Sequence, residues 1–288
     1  MNASNKLSLL LSFVVCALAV AIVGSSSPVI AGQARAGAKH APVEIIRDES
    51  GNPVPALAGE LETLNWSGYV LPKFVTNENY TSVQGTWIVP GVIYDGVLSV
   101  SSNWVGIGGF CKTARCRSAD KTLIQLGTTQ EAVSVSDTQY FPWYEMPPKA
   151  PVNIPLEVNP DDTITASLSC AGKCKGKASW TLYMMDETTG KSWSTIVKYN
   201  SAKLSADWIV EAPTSRGGIV PLADFGITTF SQSMANAASA DLLNDGVAVI
   251  MQDPNGQSSN VSLPNSTGDG FNACFSPDSS LATCASPP

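Results

Sequence analysis

The feature that most constrains the fold is a succession of short runs of β-branched and aromatic residues separated by Gly, Pro, Asn and Asp. The runs begin near residue 64 and continue to the end of the chain, with clear examples at 65–71, 82–89, 163–168, 178–184 and 246–251. Such runs are typical of strands, and Pro-Asp-Asp at 160–162 and Pro-Asn-Gly at 254–256 are typical of turns. Only residues 236–244 have a helix-like pattern. The sequence therefore predicts an all-β sandwich in which many strands are packed on both faces.

The first 62 residues differ from this pattern. Lys6 precedes an almost wholly apolar run at 7–23, and small residues with Pro28 follow it. A membrane anchor is the alternative, but a run this short lies at the bottom of the spanning range, so we predict a cleaved signal peptide at 1–31 and an extracellular protein. Residues 32–62 are rich in Ala, Gly and Pro and lack aromatic residues. We expect a pro-segment or flexible leader there, followed by one domain at 63–288.

Cysteine spacing agrees with export. Cys16 lies in the signal, which leaves six cysteines in three close pairs: Cys111 and Cys116, Cys170 and Cys174, Cys274 and Cys284. Six cysteines allow 15 connectivities. Pairing between near neighbours is the simplest for loops at strand ends, and the spacings match no zinc pattern. We therefore expect three disulfides and an oxidising destination.

The charge balance excludes one class of partner. The chain has 17 Lys and Arg against 24 Asp and Glu, and charged residues make up only 14% of it. Nucleic-acid binding needs basic residues to neutralise phosphates, so we expect no nucleic-acid partner. Few charge pairs are lost when the carboxylates of such a chain are protonated, which suits work at acidic pH.

Histidine content excludes several mechanisms. The single histidine, His40, lies in the expected leader. If the leader is removed, a Ser-His-Asp triad, a Cys-His pair and a histidine-ligated zinc site all become impossible. We expect no metal and no cofactor. An enzyme built from the remaining residues must use carboxylates, amides, hydroxyls or aromatic rings.

Two glutamates stand out among the six that follow the leader. Glu145 and Glu211 each follow an aromatic-rich run, and an apolar wall raises a carboxyl pKa as a general acid or base requires. An ordinary hydrogen-bonded carboxylate at a strand end explains the spacing equally well. Three other glutamates lie beside turn residues and are expected to be solvated: Glu78, Glu157 and Glu187. The sequence does not indicate whether Glu131 is solvated or buried.

Around these residues the sequence resembles the glutamic peptidases called eqolisins. The resemblance consists of ordered blocks: Asn-Trp-Ser-Gly-Tyr at 65–69, Gly-Thr-Trp-Ile-Val-Pro at 85–90, Trp-Val-Gly-Ile-Gly-Gly at 104–109, Leu-Ile-Gln-Leu-Gly-Thr at 123–128, Trp-Tyr-Glu at 143–145 and Ala-Asp-Trp-Ile-Val-Glu-Ala-Pro at 206–213. The joint order of the blocks is more specific than any one of them. The resemblance implies a sandwich of two curved antiparallel sheets.

The resemblance also implies roles for individual residues. The catalytic glutamine of the family matches Gln125, and its catalytic glutamate matches Glu211. The tryptophan and glutamate that line its cleft match Trp143 and Glu145, and we expect Trp104 to bind substrate as well. The implied activity is that of a secreted acid endopeptidase, made as a zymogen, that acts as a monomer on polypeptides without a membrane partner once the signal is cleaved.

The sequence departs from the family pattern at two positions of the cleft, and its leader carries basic residues that suggest a mode of regulation. Relatives carry acidic residues where this chain has Gly108 and Phe141, so we expect the pKa of the catalytic glutamate and the pH optimum to differ from theirs. Basic residues of the leader, Arg35, Lys39 and Arg47, are expected to dock on the acidic domain until carboxylates are protonated.

Two other functions remain open at this point. The first is a carbohydrate-active sandwich, either a lectin or a glycosidase that uses Glu145 and Glu211 as its carboxylate pair. The second is a binding protein that keeps the fold but has no activity. A glycosidase would depend on both glutamates, whereas the peptidase would depend on Gln125 and Glu211.

Overall fold

The structure is a computed structural model that describes residues 38–55 and 60–288. These residues form eighteen strands and one short helix, α1 (Lys73–Thr76). The strands are β1 (Leu61–Thr63), β2 (Trp66–Pro72), β3 (Ser82–Ile88), β4 (Ser99–Gly108), β5 (Leu123–Ser134), β6 (Asp137–Glu145), β7 (Val152–Asn153), β8 (Thr163–Ala171), β9 (Ala178–Asp186), β10 (Lys191–Tyr199), β11 (Ser205–Glu211), β12 (Thr214–Ser215), β13 (Gly218–Ile219), β14 (Ile227–Ala235), β15 (Ala238–Ser239), β16 (Val247–Gln252), β17 (Ser258–Val261) and β18 (Phe271–Ser276).

Hydrogen bonds join most of these strands into one continuous path. Its order is β10-β9-β8-β3-β14-β18-β17-β16-β2-β11-β4-β5-β6-β7, with β1 parallel to β16 and β15 beside β14. The neighbours along the path are antiparallel. The path folds over so that β3 lies against β4 and β11. The predicted all-β, antiparallel sandwich is confirmed, and its two layers are joined through β17 and β18.

The main hydrophobic core lies between the two layers. Two of its tryptophans tie the layers together, because their indole N–H groups donate across the interface. Trp208 Nε1 donates to the Gln84 carbonyl at 2.7 Å, and Trp87 Nε1 donates to Thr128 Oγ1 at 3.0 Å. Gly85 lies under the Trp208 ring, where a Cβ atom would come within 2.7 Å of Trp208 Cδ1. This close approach fixes the spacing between β3 and β11.

A second, smaller core covers the outer face of β2, β11, β4, β5 and β6. Its buried residues include Trp66, Trp104, Trp143 and Ile209, together with Val43 from the segment predicted to be a leader. Val43 is only 5% exposed. Residues 38–48 therefore pack against the domain, a contribution to the core that the sequence analysis did not anticipate.

Local predictions had mixed outcomes. The strand runs match β2, β3, β8, β9 and β16, and the three near-neighbour disulfides are present. The helix-like pattern at 236–244 was wrong. Asn236 and Ala237 have φ angles of 50° and 62°, so the chain reverses there and β15 pairs with β14.

The signal peptide predicted at 1–31 lies outside the described residues. In residues 38–55 and 60–288, no helix has the length and apolar character needed to cross a bilayer.

Candidate active site

Three rows of side chains share the outer face of β11, β4, β5 and β6. Strand register places Glu211, Ser102, Thr129 and Phe141 in the first row. The second row contains Ile209, Trp104, Gly127 and Trp143, and the third contains Asp207, Gly106, Gln125 and Glu145. Successive rows are two residues apart along each strand, so side chains of all three point the same way. All five residues predicted to act on substrate lie on this one face.

Glu211 is fully buried at one end of this face. Its Oε2 accepts a hydrogen bond from Trp104 Nε1 at 2.9 Å, and its Oε1 accepts one from the Ala41 backbone N–H at 2.9 Å. Burial raises the pKa of Glu211 well above its ordinary value. The Ala41 and Trp104 hydrogen bonds favour the ionised form, and the charge of Glu145 opposes it. Opposing influences of this kind on a carboxyl pKa are typical of acid and base catalysts.

Gln125 lies on β5, two strands from Glu211. It pairs with Gly106 on one side and with Glu145 on the other. Its side chain is fully buried, and neither amide atom has a hydrogen-bond partner among the described residues. A buried amide without a partner costs free energy, so its donor is available to a group that enters the site.

Trp104 lies in the second row, on the strand next to that of Glu211. It is fully buried, and its indole N–H is used by Glu211. Gly127 beside it has no room for a side chain, because a Cβ atom there would lie 2.4 Å from Trp104 Cβ. The geometry makes Trp104 a residue that positions Glu211.

Trp143 and Glu145 contact a residue that the sequence analysis did not assign to the site. The His40 ring stacks on Trp143 with a centroid distance of 3.4 Å and an interplanar angle of 8°. Glu145 Oε2 lies 2.9 Å from His40 Nδ1 and accepts the His40 backbone N–H at 2.8 Å. On the far side of the ring, His40 Nε2 lies 3.0 Å from Ser102 Oγ.

The segment around His40 crosses the whole site. Lys39 exchanges two backbone hydrogen bonds of 2.8 Å with Thr214, and Trp66 Nε1 donates to the Ala41 carbonyl at 3.0 Å. Further along, the backbone N–H of Val43 donates to the Gly109 carbonyl. The backbone of residues 39–43 thus occupies the face where the predicted catalytic residues lie.

The basic residues of the leader have other contacts. Lys39 is exposed and pairs through its backbone, while Arg47 donates to the carbonyl oxygens of Cys116 and Gly51. Arg35 lies outside the described residues. The residues of the leader that contact Glu145 and Glu211 are instead His40 and Ala41. An open pocket of about 800 Å³ is lined by Arg47, Arg115 and Arg117, away from the predicted site residues.

The other glutamates occupy the positions predicted for them. Glu78, Glu157 and Glu187 are exposed. Glu131, which the sequence did not place, is fully buried on β5. No group of residues suited to hold a metal ion occurs within residues 38–55 and 60–288.

The two departures from the family pattern also have structural explanations. Gly108 has a φ angle of 89°, and a Cβ atom there would lie 2.0 Å from the Thr122 carbonyl oxygen. Phe141 is 4% exposed and belongs to the outer core, in the same row as Glu211. It lies three strands from Glu211 in that row and packs in the outer core, where relatives carry an acidic residue.

Fold and site together define a class: a two-layer β-sandwich with a buried carboxyl group and a buried amide on one outer face. The chain belongs to the Peptidase A4 family, whose sequence profile matches residues 64–269. The resemblance to glutamic peptidases is therefore confirmed. Family membership also favours the peptidase interpretation over the carbohydrate-active one.

Individual proteins similar to this chain are also peptidases. Aspergillopepsin-2 of Aspergillus niger is 27% identical over 190 residues, which cover 61% of this chain and 65% of that protein. The match thus spans slightly less than two thirds of the relative. Among solved structures, this chain superimposes on scytalido-glutamic peptidase, whose structure contains a peptide-based transition state analog. The TM-score is 0.55 and the sequence identity is 21%. The aligned region covers 74% of this chain and 98% of the peptidase chain. A second structure of that peptidase, with a transition state analog inhibitor, gives the same TM-score at 22% identity. These structures share the fold.

Proposed function

We propose that the protein is a secreted acid endopeptidase that uses Glu211 as its acid and base and Gln125 as its oxyanion donor. The observation that carries this proposal is the contact between Glu211 Oε1 and the Ala41 backbone N–H at 2.9 Å. The carboxyl group contacts the nitrogen of a peptide bond, which is the atom to which a peptidase has to deliver a proton. A peptide-based analog bound to scytalido-glutamic peptidase supports the same class of substrate.

The reaction follows from the two functional groups. Ionised Glu211 takes a proton from water, and the water oxygen forms a bond to the scissile carbonyl carbon. The Gln125 amide donates to the oxyanion that develops, an interaction worth about 3 kcal/mol in comparable sites. The tetrahedral intermediate then breaks its C–N bond while Glu211 returns the proton to the leaving nitrogen. Glu211 is ionised again, and the products are a carboxylic acid and an amine.

We further propose that the chain is made as an inactive precursor, with a signal peptide at 1–31 and a leader that blocks the site. In the described structure Glu211 and Gln125 are fully buried, and residues 38–43 cover the face on which they lie. A polypeptide substrate cannot reach Glu211 while Ala41 occupies Oε1.

Acid weakens this block through Glu211 itself. Each of its two oxygens accepts one hydrogen bond. Protonation puts a hydrogen on one oxygen and so removes an acceptor. Because burial raises the pKa of Glu211, this loss occurs in milder acid than for an exposed glutamate. Departure of the leader returns water to the carboxyl group, which lowers its pKa and prepares it to act as the base.

The test uses the full-length chain after incubation in acid, with unfolded casein and haemoglobin as substrates between pH 2 and pH 7. Wild type is compared with Glu211→Gln and Gln125→Ala, and exposed Glu187→Gln is the matched control. We expect proteolysis that rises in acid, persists in the control and disappears in both site variants while circular dichroism shows them folded. Proteolysis that survives in folded Glu211→Gln would refute the mechanism.

A further inference from the structure

The pocket around His40 provides a partner for one face of the imidazole ring and for both of its nitrogen atoms. One face of the ring lies flat on Trp143. Nδ1 lies 2.9 Å from the Glu145 carboxylate, and Nε2 lies 3.0 Å from the Ser102 hydroxyl. Ser102 in turn lies 2.7 Å from Thr129 Oγ1, so the two hydroxyls form a chain that ends on the ring. His40 is only 3% exposed, and in that dry setting each of these contacts discriminates between side chains.

The position of this pocket relative to the reaction follows from the backbone. Glu211 must protonate the nitrogen that leaves, and the nitrogen beside its Oε1 is that of Ala41. The bond between His40 and Ala41 therefore occupies the place of a bond to be cut. His40 then corresponds to the residue on the acyl side of that bond. Its backbone N–H is also held, because it donates to Glu145 Oε2.

The leader occupies this place without the contact needed for reaction. Neither amide atom of Gln125 has a hydrogen-bond partner among the described residues. The His40 carbonyl is thus not held by the proposed oxyanion donor. The leader fills the binding pockets while the carbonyl remains unpolarised, which is how an inhibitor that resembles a substrate behaves.

We propose that Trp143, Glu145 and Ser102 form a subsite that selects histidine, so that the peptidase cuts preferentially after histidine residues. This inference rests on the proposed function and adds the side chain that the site recognises. The leader blocks the site because it carries the preferred residue at the preferred position.

Histidine suits the subsite better than the side chains that resemble it. Phenylalanine and leucine can fill the space, but they leave the buried Glu145 carboxylate and the buried Ser102 hydroxyl with one hydrogen bond fewer each. Glutamine can pair with both groups but lacks a ring to stack on Trp143. Desolvation lowers the pKa of His40, while the hydrogen bond and the charge of Glu145 act in the opposite direction. A neutral ring with its proton on Nδ1 donates to Glu145 and accepts from Ser102.

The test measures the preference within one preparation of enzyme. The acid-activated full-length chain is given the peptides Gly-Ala-Lys-X-Ala-Ala-Val with X as His, Phe, Gln or Leu, and mass spectrometry locates the cut. We expect cleavage between X and Ala, with kcat/KM for His at least tenfold above that for Phe and Leu. Glu145→Gln should reduce the ratio of His to Phe severalfold, whereas Glu187→Gln should keep it. Ser102→Ala provides a second variant if Glu145→Gln fails to fold.

Ratios within a single enzyme separate specificity from folding and from catalysis. Casein hydrolysis with no preference for histidine, or a cut at another bond of the peptide, would overturn the subsite but leave the proposed function intact. If neither casein nor any peptide is cut, the proposed function fails and the subsite fails with it. A His preference that Glu145→Gln and Ser102→Ala both leave unchanged would also contradict the assignment.

Discussion

The hydrogen bond from Trp104 to Glu211 should control the pH at which the enzyme works. Trp104 Nε1 lies 2.9 Å from Glu211 Oε2, and both residues are fully buried. Trp104→Phe removes this donor and keeps an aromatic ring. A hydrogen bond to a charged group contributes about 1.5–3 kcal/mol. Since one pKa unit corresponds to about 1.36 kcal/mol, the pKa of Glu211 should rise by about 1–2 units.

The assay is kcat/KM for peptide cleavage by the acid-activated enzyme as a function of pH. Its acidic limb reports the pKa of the base in the free enzyme. Removal of a donor disfavours the ionised form, so the limb should move to higher pH by about 1–2 units. Trp180→Phe is the matched control, because Trp180 Nε1 donates to the Tyr199 carbonyl in the other layer. An acidic limb that stays in place in active Trp104→Phe would refute the reasoning.

Two further perturbations follow from packing and burial. Gly127→Ala would place a Cβ atom 2.3 Å from the Asn103 carbonyl oxygen and 2.4 Å from Trp104 Cβ. We expect it to lower the free energy of unfolding by about 1–3 kcal/mol and to reduce activity, whereas Gly91→Ala, in open space, should do neither in urea titrations and casein assays. Asp207 is fully buried, and burial raises its pKa well above the ordinary value, so the folded chain holds a proton there that the unfolded chain releases as pH rises above about 4. Wild type therefore loses folding free energy as the pH rises, whereas Asp207→Asn has no proton to lose. The variant should have a higher melting temperature than wild type at pH 7, and the difference should be smaller at pH 3. A constant difference at both pH values would contradict this account.

The fold was predictable because its strands have a local signature. Alternating and β-branched runs gave the positions of β2, β3, β8, β9 and β16 to within three residues at each end. Short cysteine spacings likewise predicted the disulfides, since each bridge closes a loop of at most 10 residues in sequence separation. The pattern at 236–244 misled because a tight reversal with two residues of positive φ overrides helical periodicity.

The covering of the site was not predictable from local patterns. His40 is 105 residues from Glu145 in the sequence and 62 from Ser102. Periodicity and spacing carry no information about contacts at such separations. One signal was available, since the single histidine of the chain lies in a segment of small residues where a functional group stands out. The residues of the dyad itself came from the resemblance, and their roles remain predictions.

The continuous strand path has a consequence for behaviour in a crowded solution. Two separate sheets would expose four edges to pairing with other chains, whereas this path ends only at β10 and β7. β7 has just two residues, and β10 carries Lys191 and Lys198 along its edge. Short edge strands and lysines both discourage intermolecular strand addition. A chain proposed to cut other polypeptides is thereby protected from adding their exposed strands to its own sheet.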